Sequence, residues 1–154
     1  MDSFANKEYS LEELMPLIQE QMRLGQSVRF SPRGTSMLPM LRQGIDYVVL
    51  SPLPEKLEKY DLPLYRRDNG QYVLHRIVAC EGASYACMGD NQFQKEKGIR
   101  QDQMIAVVTA FYRTDKRHSV TERKYRLYCR VWYGTRYLRQ LVRRVKGLLR
   151  RLIK

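Results

Sequence analysis

The chain is poor in the residues that build metal and disulfide frameworks: 154 residues include three cysteines and two histidines. Cys80, Cys87 and Cys129, taken with His75 and His118, have no spacing that resembles a zinc pattern, because tetrahedral sites gather four ligands in close groups. No metal and no cofactor is expected, and the cysteines read as ordinary reduced thiols. Long apolar runs are also missing. The longest, MIAVVTAFY from Met104 to Tyr112, is too short to cross a bilayer and suits a buried strand. The opening MDSFANKEYSLEEL has neither a basic start nor an apolar stretch, so no secretory signal is legible and a cytoplasmic setting is expected. Internal repeats and low-complexity segments are absent from the sequence. One domain with a real core is the simplest reading at this length.

Acidic residues are scarce in one region only. Residues 113–154 hold 15 Lys/Arg against two Asp/Glu, or +13, whereas residues 1–112 hold 13 against 14, or −1. The net charge of +12 therefore belongs to the tail and says nothing about the rest.

What is present reads as helix, then strands, then helix. SLEELMPLIQEQMRLGQ has Ser10 as a cap, Glu13 at the capping-box position and Gly25 as a stop. Leu11, Leu14, Leu17, Ile18 and Met22 supply its apolar face, and Pro16 interrupts it. From Ser27 to Arg113 the pattern shortens to period two, in SVRF, DYVVL, LPLYR, QYVLHRIVAC, SYACMG and MIAVVTAFYR. Short strands at that spacing predict a mainly β, compact antiparallel fold, with an N-terminal helix over 1–26, a β domain over 27–114 and a basic helical tail over 115–154 that turns helical from about Tyr125 or a little later. In the tail, Leu138, Leu141, Val142, Val145, Leu148, Leu149 and Leu152 keep a 3–4 spacing, with Arg139, Arg143, Arg144, Lys146, Arg150 and Arg151 mostly opposite. Such a helix over residues 135–154 suits an anionic membrane surface, with Trp132, Tyr133 and Tyr137 as an interfacial belt. Packing on the β domain is the alternative. A purely nucleic-acid arm is disfavoured, since phosphate binding has no use for the apolar stripe.

The segment RGTSMLPML, Arg33 to Leu41, admits two readings. Gly34, Ser36 and Pro39 are common turn residues, with Met37 and Leu38 as anchors. Alternatively, Ser36 is an exposed nucleophile, which requires a base to take its proton as the bond forms. His75 in YVLHRIV is the informative histidine. On a strand it shares a face with Val73, Ile77 and Ala79, where a hydrogen-bonded core histidine is the commoner case. An unperturbed imidazole, with a pKa near ~6.5, is mostly neutral at pH 7, so activity would rise through roughly pH 6–7. Asp90 in MGDNQ and Glu96 in QKEKG are the nearest acids that could orient it.

These residues together carry a resemblance. GTSMLP resembles the nucleophile segment of type I signal peptidases and LexA-type self-cleaving repressors. GIDYVVL is similar to the Gly-Asp-x-Val strand that follows it, with Ile45 inserted between Gly44 and Asp46. YDLPLYR is similar to the next such element, with Tyr60 in place of glycine. VLHRIV and MGDNQ resemble the His-Arg-Ile/Val and Gly-Asp-Asn pair of the histidine-type signal peptidases. The match in order and approximate spacing runs from about Val28 to Phe111. The resemblance implies the compact β fold of that superfamily and a serine endopeptidase acting on a protein or precursor peptide. Ser36 would be the nucleophile, His75 the base and the Ser36 N–H part of the oxyanion hole. Gly34, Thr35, Met37 and Pro39 would shape its loop. Glu96 falls where the family usually has the aspartate that completes the site, and Asp90 is the aspartate of the Gly-Asp-Asn turn. The spanning helix of signal peptidases and the DNA-reading helices of the repressors are both missing from this sequence. A catalytically silent relative that binds peptide, membrane or nucleic acid is the alternative function.

Overall fold

The computed structural model describes residues 10–152 of the chain. Helix α1 spans Leu11–Arg23 and begins with the expected capping box: Ser10 Oγ accepts from the Glu13 N–H, and Glu13 accepts from the Ser10 N–H. Met15 and Ile18 are its buried residues, and Leu17, expected on the apolar face, is exposed. The rows Leu11–Met15–Ile18–Met22 follow the helical stripe more closely than the row through Leu17 does.

Nine antiparallel strands follow among the described residues. They are β1 (Val28–Phe30), β2 (Tyr47–Ser51), β3 (Pro63–Arg66), β4 (Tyr72–Leu74), β5 (Arg76–Glu81), β6 (Ser84–Met88), β7 (Glu96–Arg100), β8 (Met104–Arg113) and β9 (Lys116–Ser119). One sheet has the order β1-β2-β8-β3-β4, with β9 on β8; the other is β5-β6-β7. The apolar run read as a buried strand is β8, which pairs with β2, β3 and β9. The fold is mainly β with terminal helices, as the alternation predicts.

QYVLHRIVAC, expected as one strand, is two. The chain leaves the first sheet after Leu74 and enters the second at Arg76, with His75 at the crossing. Strands that switch sheets in this way make the corners of packed sheets. One core lies between α1 and the larger sheet and includes Met15, Ile18, Val48, Leu50, Leu64 and Phe111. A second joins the two sheets through Leu57, Tyr65, Ile77, Cys87, Ile99 and Val107.

Within the basic tail, expected to turn helical from about Tyr125, the first helix begins at Arg123. β9 completes the sheet, and helix α2 (Arg123–Gly134) buries Tyr125 and Cys129 in the first core. Thr135 then interrupts the helix, its hydroxyl donating back to the Val131 carbonyl, before α3 (Arg136–Leu152) begins. Among the described residues no helix is long and apolar enough to cross a membrane.

Candidate active site

Ser36 lies in the connection between β1 and β2, on a loop tied at several points. Gly34 has φ of 89°, a left-handed conformation that glycine adopts without steric cost, and its N–H donates to Gln43 Oε1 at 2.8 Å. Met37 and Leu41 are buried and anchor the loop in the first core, while Thr35 and Pro39 face outward.

The turn Gly89–Gln92, which follows β6, holds the loop from the other side. The Asn91 N–H donates to the Ser36 carbonyl at 2.8 Å, and Asn91 Nδ2 donates to the Thr35 carbonyl at 3.1 Å. A Cβ on Gly89 would stand 2.6 Å from that Ser36 oxygen and 3.1 Å from Ser36 Cβ. Position 89 admits glycine because the two backbones are this close.

Strand register delivers the imidazole to the same place. Arg76 pairs with Met88, so His75 and the Gly89 turn lie at the same end of the β5–β6 pair. Ser36 and His75 line one cleft of about 480 Å³, with Phe30, Tyr72, Leu11 and Gln92 among its other walls. That volume is in the range of ligand-sized sites. No hydrogen bond joins Ser36 Oγ to His75 among the described residues, and the Ser36 N–H has no protein acceptor there either.

His75 is buried, and its Nδ1 is 3.4 Å from the hydroxyl of Tyr65, a residue of β3 with no exposed surface. The same hydroxyl donates to Glu96 Oε2 at 3.0 Å. Arg67 closes the row, with two hydrogen bonds to Glu96 at 2.8 and 2.7 Å. Burial works to raise the Glu96 carboxyl, but the hydrogen bonds from Arg67 and Tyr65 outweigh it and hold the group below its usual range. An ionised carboxylate only accepts, so the single Tyr65 proton goes to Glu96 and the phenol oxygen accepts from His75 Nδ1–H. The imidazole is thereby held in one tautomer, with the lone pair on Nε2 and no protein partner for it among the described residues.

Burial, reinforced by the Arg67 charge, lowers the His75 pKa from 6.5 to about 4. Neutrality at pH 7 is thus deeper than an unperturbed imidazole would have. The pH 6–7 transition expected from the sequence moves down accordingly.

The two acids take different places. Glu96 reaches His75 through Tyr65 instead of directly, a link that the sequence reading did not contain. Asp90 does not touch His75. It is buried, paired with Arg76 at 2.8 Å and bonded by the Tyr128 hydroxyl at 2.9 Å, while the Trp132 indole donates to its carbonyl at 2.7 Å. Trp132, expected at a membrane interface, therefore packs on the turn that holds Ser36. Tyr65 on β3 and Arg67 just after it were missed because LPLYRR reads as ordinary alternation running into a turn. Tyr60, which stands where the resemblance has glycine, takes φ of 80°. Its N–H donates to the Ile77 carbonyl at 2.8 Å, which helps hold this left-handed conformation.

Among the described residues no group of three His, Cys, Asp or Glu is placed to hold a metal ion. Fold and cleft together define a small, mainly β protein in which a serine hydroxyl and a neutral imidazole line one cleft, the imidazole linked through Tyr65 to the half-buried Glu96 carboxylate. No family model, curated protein or solved structure matches the chain.

Proposed function

We propose that this protein is a serine endopeptidase of the signal-peptidase and LexA-like type, cleaving a peptide bond in a protein or precursor peptide. The observation that carries the reading is the shared cleft: Ser36 and His75 line it together, and His75 Nδ1 is committed to Tyr65. The left-handed Tyr60 at the resemblance's glycine position supports the same reading.

In this mechanism Ser36 Oγ attacks the scissile carbonyl carbon as its proton passes to His75 Nε2. The Ser36 N–H stabilises the oxygen that becomes negative. Collapse of the tetrahedral intermediate breaks the C–N bond, and His75 returns the proton to the leaving amine. Water, deprotonated by the same imidazole, then releases the acyl group. Tyr65 and Glu96 orient the imidazole and stabilise its transient positive charge, and Arg67 keeps Glu96 ionised.

The test is a complex peptide mixture incubated with the protein, with new termini read by mass spectrometry. Ser36→Ala and His75→Ala should each reduce cleavage by about a thousandfold or more, and the double variant should be hardly worse than either. Thermal melts of all three should stay near that of the parent. Cleavage that survives Ser36→Ala overturns the reading, and a parent protein with no cleavage at all favours the silent binding module.

A further inference from the structure

Helix α3 leaves the body of the protein with its apolar side uncovered. Tyr137, Leu138, Leu141, Val142, Val145, Leu148 and Leu149 are between 45 and 67% exposed. At about 100° per residue they occupy a single arc of roughly 140°. Seven cations, Arg136, Arg139, Arg143, Arg144, Lys146, Arg150 and Arg151, fill the rest of the circumference, and the helix has no acidic residue. Among the described residues, contacts with the body are confined to the first two turns, the last of them Arg143 over the Phe93 ring at 5.8 Å. Arg139 lies 3.7 Å over the Trp132 ring and donates to the Trp132 carbonyl at 2.6 Å, and Arg136 covers Tyr133 at 4.0 Å. Every residue from 141 to 150 is exposed.

We infer that α3 is a docking surface for an anionic lipid bilayer, lying in the headgroup layer with its apolar arc towards the acyl chains. Two properties of the occupant follow from the helix. It must offer an apolar medium along the whole arc, and it must carry negative charge on both flanks of that arc. A bilayer containing anionic lipids has both. A second copy of α3 would cover the arc, but it would set seven more cations against the first seven. A nucleic acid would neutralise the cations and leave the arc in water. Because Trp132 is bonded to the turn beside Ser36, the first turn of α3 is fixed relative to the cleft. A docked protein would therefore hold the cleft at a defined height above the lipid surface. None of this depends on the cleft being a peptidase site.

The experiment is co-sedimentation of the full chain, as Ser36→Ala, with vesicles of phosphatidylcholine alone or mixed with phosphatidylglycerol. Binding to the mixed vesicles should be at least about tenfold tighter, and raised salt should weaken it. Leu141→Glu/Val145→Glu alters exposed positions only, so its thermal melt should match the parent while vesicle binding falls about tenfold or more. Equal binding to both vesicle types overturns the inference. So does undiminished binding by the Leu141/Val145 variant, which would mean charge attraction alone, as for a polyanion. A concentration-dependent dimer that the variant abolishes, with no sedimentation of the parent, would assign the arc to a second copy instead.

Discussion

An imidazole taken out of water holds its proton weakly, and for His75 that one fact has two measurable consequences. The first concerns cleavage. With the pKa lowered to about 4, the imidazole proposed as the base is neutral throughout the physiological range. The acid limb of kcat/KM should therefore lie near pH 4, with a flat profile through 6–7. A limb at 6–7 would mean that the ring is solvated. The second concerns stability. Between the unfolded value of 6.5 and the folded value of about 4, the unfolded chain binds the extra proton. Folding stability should then fall as pH drops through that window, by about 3 kcal/mol for this group once both states titrate. His75→Gln should remove that part of the pH dependence, measured by urea unfolding at several pH values between 4 and 7.

At the scale of elements, the candidate site depends on α2, a helix that supplies no residue to the proposed chemistry. Arg76 is fully buried and bonds Asp90 through Nε and Nη2, the Tyr60 carbonyl at 3.2 Å and the Tyr125 hydroxyl at 2.7 Å. Asp90 in turn belongs to the turn that pins Ser36. Asp90→Asn removes the countercharge and leaves a buried guanidinium uncompensated, which should destabilise the fold by about 3–5 kcal/mol. The loss should appear as a lower urea midpoint. A variant as stable as the parent would show that Asp90 does not anchor α2. Short charged strands explain why part of this architecture was illegible beforehand. EKGIR (β7) and KRHS (β9) show no apolar alternation, because each lies at a sheet margin where one ladder suffices. The capping box of α1 and the uninterrupted apolar run of β8 were legible for the opposite reason: each is a local rule expressed in adjacent residues.

For the whole molecule, the sharpest division is between the packed body, residues 10–134, and α3. Deleting residues 136–154 should change unfolding free energy by less than about 1 kcal/mol and leave peptide cleavage in solution nearly unchanged, while vesicle binding disappears. A loss of several kcal/mol would mean that the apolar arc is packed in solution. The body itself was only partly readable. Ser36 and His75 were found from local motifs, but their neighbours come from pairings across the sheets: Tyr65 from β3 and Glu96 from the start of β7. Register is a long-range property, and one sequence does not display it. The uneven charge did not mark where α3 separates, since residues 113–134 hold seven Lys/Arg against two Asp/Glu and yet β9 and α2 pack on the body.

His75 and Arg76 are consecutive, yet one lines the cleft and the other fills the space beneath α2. Extended backbone sends neighbouring side chains to opposite sides, so the two roles are fixed by parity. Substitutions elsewhere along Tyr72–Ile77 keep that parity, whatever they do to packing. A single inserted residue between Tyr72 and His75 does not. It would put the imidazole in the place of Arg76, towards Asp90, and the guanidinium in the place of Ile77 in the second core, so the stretch tolerates changes of letter far better than changes of length.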